Sequence, residues 1–141
     1  MPYQVVYSSE ATRELGQAEL EALLAQARAG NAAREVTGAL VCVDGVFLQV
    51  LEGERAVVDA LMARIEKDPR HTAVQVFFQA EVPERAFGSW KMACVQPSFE
   101  QLRAWSGQPG AATVQEVMRE MAARPQQVTQ LATALLQAVA P

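Results

Sequence analysis

The tightest constraint on this chain is the dipeptide Asp44-Gly45, set between two apolar runs, Gly38–Val43 and Val46–Leu51. Asp-Gly supplies the positive-φ residues that a two-residue hairpin turn demands, so the two runs are predicted to pair as antiparallel strands. The second strand is apolar everywhere except Gln49. A strand with apolar side chains on both alternating faces is covered on both sides. Gln49 therefore carries a primary amide into a core, where unpaired polar groups cost roughly 1–3 kcal/mol. A backbone group, another side chain, water or a ligand must meet it.

The segments around this hairpin have clear periods. Tyr3–Ser8 reads as a Val- and Tyr-rich strand, with Tyr7 at its end before the polar run Ser8-Ser9-Glu10. Gly16–Ala29 reads as a helix, its stripe formed by Leu20, Leu23, Leu24 and Ala27. Gly30-Asn31 is predicted to end it, both residues tolerating the left-handed conformation of a helix stop. A second helix over Glu54–Lys67 keeps Val57, Val58, Leu61, Met62 and Ile65 on one side, with Pro69 closing it. Ala73–Gln79 and Trp90–Gln96 read as two more strands, the latter placing Trp90, Met92 and Cys94 on one face.

Strand, helix, strand, strand, helix, strand is the α+β order of the ferredoxin-like split arrangement. The expected fold is that βαββαβ unit with an added fifth strand, two helices on one sheet face and a C-terminal helical extension. In that topology the strands of Tyr7 and Gln49 are central neighbours, so the two side chains can meet. Residues 1–97 form the domain. Residues 98–141 form the extension: Pro97-Ser98 caps a short helix over Phe99–Trp105, and amphipathic segments follow at Ala111–Ala123 and Gln126–Val139, split by Pro125. Such helices do not stay folded alone, and the sheet face left open by the first two helices is their natural dock, with self-association as the other use.

Composition excludes more than it assigns. The 141 residues are 50% apolar and 20% charged, enough for one real core. A net charge of −4 without a basic block speaks against nucleic acid as partner. No apolar run approaches the roughly 20 residues of a membrane helix, and the N-terminus lacks signal-peptide character. Cys42 and Cys94 read as small buried hydrophobes of a reducing cytoplasm. One histidine in the whole chain makes a metal site or a His-based triad a poor expectation.

Several of these motifs agree with one known family. Tyr7 in Val-Val-Tyr-Ser-Ser, Asn31 in Gly-Asn-Ala-Ala-Arg-Glu-Val-Thr-Gly and Gln49 in Phe-Leu-Gln-Val-Leu-Glu-Gly resemble the BLUF domains, flavin-based sensors of blue light. Asp68-Pro69-Arg70-His71 and Ser89-Trp90-Lys91-Met92 continue the resemblance in order and spacing, from about Pro2 to Gln96. It implies FAD between the two helices, with Tyr7 as electron and proton donor and Gln49 bridging Tyr7 to the flavin edge. Asn31 would hold the pyrimidine end, and Asp68, Arg70 and His71 would lie near the ribityl chain, phosphates or ring margin. Trp90 and Met92 would pass the change outward. Ala27 stands where some relatives place a serine, which removes one partner for the Trp90 indole N–H.

The function so implied is a cytoplasmic blue-light photoreceptor, not an enzyme, that signals to a protein partner and self-associates as a homodimer or higher homo-oligomer. The alternative is a non-photoactive ferredoxin-like ligand-binding or dimerisation module, in which a backbone bond satisfies Gln49. A hydrolase of the acylphosphatase type fits poorly, because Ser8-Ser9-Glu10-Ala11-Thr12 has no glycine to cradle a phosphate and adds a carboxylate.

Overall fold

The computed structural model describes residues 1–12, 16–43, 45–85, 92–96, 98–106, 110, 113–114 and 116–117. In chain order these form β1 (Tyr3–Ala11), α1 (Gln17–Arg34), β2 (Thr37–Val43), β3 (Val46–Gly53), α2 (Arg55–Glu66), β4 (His71–Glu81), β5 (Ala93–Val95) and α3 (Phe99–Ser106). The sheet order is β4-β1-β3-β2-β5, antiparallel throughout except for β5, which lies parallel to β2. This is the expected ferredoxin-like arrangement with its added strand. The hairpin closes as predicted: Val43 pairs with Val46, and Gly45 takes φ 78°.

β3 is covered on both sides, and its alternation sorts the core into two layers. Tyr7, Phe47 and Leu51 face the helices and pack with Leu20 and Leu24 of α1 and Val58 and Met62 of α2. Val6, Leu48 and Val50 face the opposite way, with Ala39, Val41 and Val43. Val114 and Val117 are buried in this second layer. The sheet face left open by α1 and α2 is thus met by residues from the start of the C-terminal segment; 118–141 lie outside the described residues. Ser98 opens α3 through a reciprocal capping pair, Gln101 N–H to Ser98 Oγ at 3.1 Å and Ser98 N–H to Gln101 Oε1 at 2.9 Å.

Three departures from the sequence reading bear on the site. α1 does not stop at Gly30-Asn31. It continues to Arg34, and Glu35 supplies the left-handed stop at φ 56°. Val36 N–H bonds Asn31 O at 2.9 Å and Glu35 N–H bonds Ala32 O at 3.4 Å, the Schellman pattern one turn later than expected. A glycine inside a helix costs only about 1 kcal/mol relative to alanine. The helix carries on past it, with Asn31 buried in line with Leu20 and Leu24. β1 runs on through Ser8-Ser9-Glu10 because β3 and β4 pair with it on either side, which leaves Tyr7 in mid-strand rather than at a rim. β5 shrinks to Ala93–Val95, so Met92 precedes the strand instead of belonging to it; Trp90 lies outside the described residues.

Candidate functional site

Strand pairing decides what the hairpin's lone amide meets. Tyr7 is the register partner of Gln49 across β1 and β3, and both side chains point to the helix face. The Tyr7 hydroxyl donates to Gln49 Oε1. The other end of the amide, Nε2, donates to Met92 Sδ at 3.5 Å. Gln49 therefore joins a phenol on β1 to a thioether just ahead of β5. Tyr7 is only 2% exposed. Burial, and secondarily the negative charge of Asp68, push its phenol far above the ordinary tyrosine range, so it stays a neutral donor.

This pair stands at one end of a cavity of about 660 Å³ between α1 and α2, within the roughly 300–1,000 Å³ common for small-molecule sites. Leu23, Leu24 and Ala27 of α1 and Leu61 and Ile65 of α2 make apolar walls, with Phe47 on the sheet. Asn31, buried on the inner stripe of α1, adds a second amide to the lining. Arg34, Arg64, Lys67 and Arg70 also line the cavity. The arrangement suits a flat aromatic molecule with a polar edge and an anionic tail.

The remaining residues singled out in the sequence are brought to the same cavity with different degrees of freedom. Asp68 and Arg70 line it and hold each other: Arg70 Nε lies 2.9 and 3.0 Å from the two Asp68 oxygens, and Nη2 lies 2.5 Å from Oδ2. The Arg70 backbone N–H adds a 2.9 Å bond to Asp68 Oδ1. Hydrogen bonding from Arg70 lowers the Asp68 carboxyl to about 2, and the same pairing raises the Arg70 guanidinium. His71 is held on both ring nitrogens. Nε2 faces the Ile65 carbonyl at 2.5 Å and so carries the hydrogen, while in the neutral ring Nδ1 accepts from Ser9 Oγ at 2.9 Å. It ties β1, α2 and β4 together beside the cavity.

Because the folded carboxyl of Asp68 titrates below its unfolded value of 3.8, its contribution to stability is complete above about pH 4 and is lost as pH falls through about 2. Both side chains are partly exposed, so the energy at stake is small. A carboxyl-carbon NMR titration should place the Asp68 inflection near 2. An inflection near 4, the ordinary aspartate value, would break the pairing as described.

Sequence reasoning missed the basic rim and one clamp. Arg64 and Lys67 follow Leu61 at helical spacing, and Arg34 occupies the turn that the early stop at Gly30 had cut away. Tracing each apolar stripe to its last turn would have found them. Arg28 donates from Nε to the Met92 carbonyl at 2.9 Å, a contact with no sequence signal. Glu52 is fully buried on the opposite sheet face, accepting from Gln4 at 2.9 Å and from Thr37 at 3.3 Å.

The chain as a whole resembles known proteins. Residues 3–93 match the family model described as sensors of blue light using FAD. The chain is 40% identical over 85 residues to the photoactivated adenylate cyclase subunit beta of Euglena gracilis, an alignment covering 60% of this chain and 10% of that protein. The chain thus spans about a tenth of the length of that curated relative. Among solved structures, BlsA in its ground state superposes with a TM-score of 0.77 at 25% identity, covering 92% of this chain and 88% of BlsA. BlrB, a BLUF protein in its dark state, superposes with a TM-score of 0.74 at 25% identity, covering 94% and 96% of the two chains.

Proposed function

Since this chain belongs to the BLUF family, the sensors of blue light using FAD, we propose that it is a photoreceptor whose switch is the amide of Gln49. The observation that carries this reading is the chain of contacts Tyr7 O–H to Gln49 Oε1 and Gln49 Nε2 to Met92 Sδ at one end of the interhelical cavity. The residues present fit FAD: apolar walls for the isoalloxazine ring, Asn31 and Gln49 for its polar edge, and Arg34, Arg64, Lys67 and Arg70 for the diphosphate. Bound there, FAD supplies the chromophore and, once excited, an electron acceptor.

What the protein's own groups do follows from their partners. Burial keeps the Tyr7 proton on its oxygen. Loss of an electron makes a phenol strongly acidic, and Gln49 Oε1 is already placed to take that proton and to hand it back when the electron returns to Tyr7. A carboxamide offers a donor end and an acceptor end, and rotation or tautomerisation exchanges them. After the exchange an acceptor faces Met92 Sδ, itself only an acceptor, and the contact that held the start of β5 is lost. The signal then leaves through β5, with Trp90 and Met92 as the output residues, and the C-terminal helices. Residues 1–97 act as the sensor and 98–141 as the extension that docks on the sheet or joins copies of the chain.

The chain itself turns over no substrate in this reading. It works in the cytoplasm, as a homodimer or higher homo-oligomer, by contact with a protein partner; no described helix is long and apolar enough to cross a membrane. Holoprotein under blue light should show its visible band displaced to longer wavelength, returning in the dark. Bleaching alone, or a band that does not move, would leave a flavin-binding fold without the switch.

A further inference from the structure

Met92 is tied at two points. Its side chain accepts from Gln49 Nε2 at 3.5 Å, and its main-chain carbonyl accepts from Arg28 Nε at 2.9 Å. Met92 is buried, and it leads into a strand of only three residues whose described pairing is with β2, at Ala39–Ala93, Leu40–Cys94 and Val41–Val95. Three residue pairs are a slight hold on a strand. A charge-assisted bond from the middle of an 18-residue helix is a firm one. The Arg28 charge is also felt at Cys94, where it opposes the upward push that burial gives the thiol, so the cation sits close to β5 as well as to Met92.

We propose that Arg28 is a positioning residue of the photocycle: by fixing the Met92 main chain to α1 it holds Sδ in line with Gln49 and so favours the amide orientation seen here. With the main chain fixed, the present orientation gains an N–H···S contact, and the exchanged one sets an oxygen against the sulfur. A methionine side chain has three rotatable bonds and moves away readily once its backbone is free. Releasing that backbone removes both the reward and the penalty, so the switched form gains relative stability and outlasts its wild-type counterpart. Arg28 does not line the cavity, which separates this role from flavin binding.

The proposal rests on the Gln49 switch, and the wild-type holoprotein tests that switch first. A wild type without a reversible red shift removes the function reading itself. Given a normal wild type, Arg28→Met should keep the size of the red shift while dark recovery slows about three- to tenfold, the span of a weak to ordinary hydrogen bond. Arg28→Lys, which keeps a cationic donor, should recover within about twofold of wild type. In a Met92→Leu background, which lacks Sδ, Arg28→Met should have no further effect on recovery. An Arg28→Met variant of lowered thermal stability but unchanged recovery overturns the proposal, because a purely structural arginine would behave so. Lysine as slow as methionine, or full additivity with Met92→Leu, overturns it equally. Should Arg28→Met fail to take up flavin, Arg28→Gln carries the same readouts with a smaller change of shape.

Discussion

Tyr7→Phe will take up flavin and keep its dark absorption band under blue light, with no reversible shift to longer wavelength. The ring still fills its place against Leu24 and Phe47 in the helix-face core, so the cavity keeps its walls. What is lost is the O–H that donates to Gln49 Oε1 and the electron a phenol can give. Gln49→Leu should have the same spectroscopic outcome for a different reason, since leucine fills the volume but joins neither Tyr7 nor Met92. Its Tyr7 hydroxyl loses the partner that the pair provides, and a buried hydroxyl without a partner costs roughly 1–3 kcal/mol. Absorption spectra before, during and after illumination decide both cases. A normal photocycle in either variant would remove the relay while leaving the fold and the flavin site standing.

Gly38→Ala is expected to be the most damaging single methyl in the fold. A Cβ at Gly38 would lie 1.9 Å from the Val50 carbonyl oxygen and 3.0 Å from its carbon. Both are backbone atoms, so no rotamer change relieves the contact, and β2 must move away from β3. The strand it is forced apart from, β3, is the one that carries Gln49, adjacent to Val50. The loss should reach about 3 kcal/mol or more, the upper end for overpacking, and flavin uptake should fall with it. Urea unfolding of the apoprotein measures this directly. Gly45→Ala is the matched control: its φ of 78° disfavours alanine, but nothing lies within 4 Å of the added carbon. Its cost should be about 1–2 kcal/mol, the left-handed penalty alone. Equal losses for the two variants would show that the close approach at Gly38 is not as described.

Much of the site was legible because it rests on local period. Gln49 announces itself as the one amide in an apolar strand, and Asp44-Gly45 sets the hairpin that fixes its face. Once the order of elements is read, β1 and β3 must be neighbours, which brings Tyr7 to Gln49. Asn31 was found through the family resemblance, while local reasoning took it for a helix stop. That error has a definite cause. Gly-Asn is a good stop in isolation, and only the buried stripe from Leu20 and Leu24 to Asn31 keeps the helix going.

The order of strands and helices, the lone amide of β3 and the phenol opposite it follow from side-chain periodicity and turn chemistry, which are properties of neighbours along the chain. The two-point tether of Met92 and the clasp of His71 between Ser9 and Ile65 came only with the tertiary structure. Arg28 to Met92 and Ser9 to His71 join residues more than sixty positions apart. Contacts of that kind depend on where packing brings α1, β1 and the segment before β5, and no local pattern encodes which arginine will face which carbonyl.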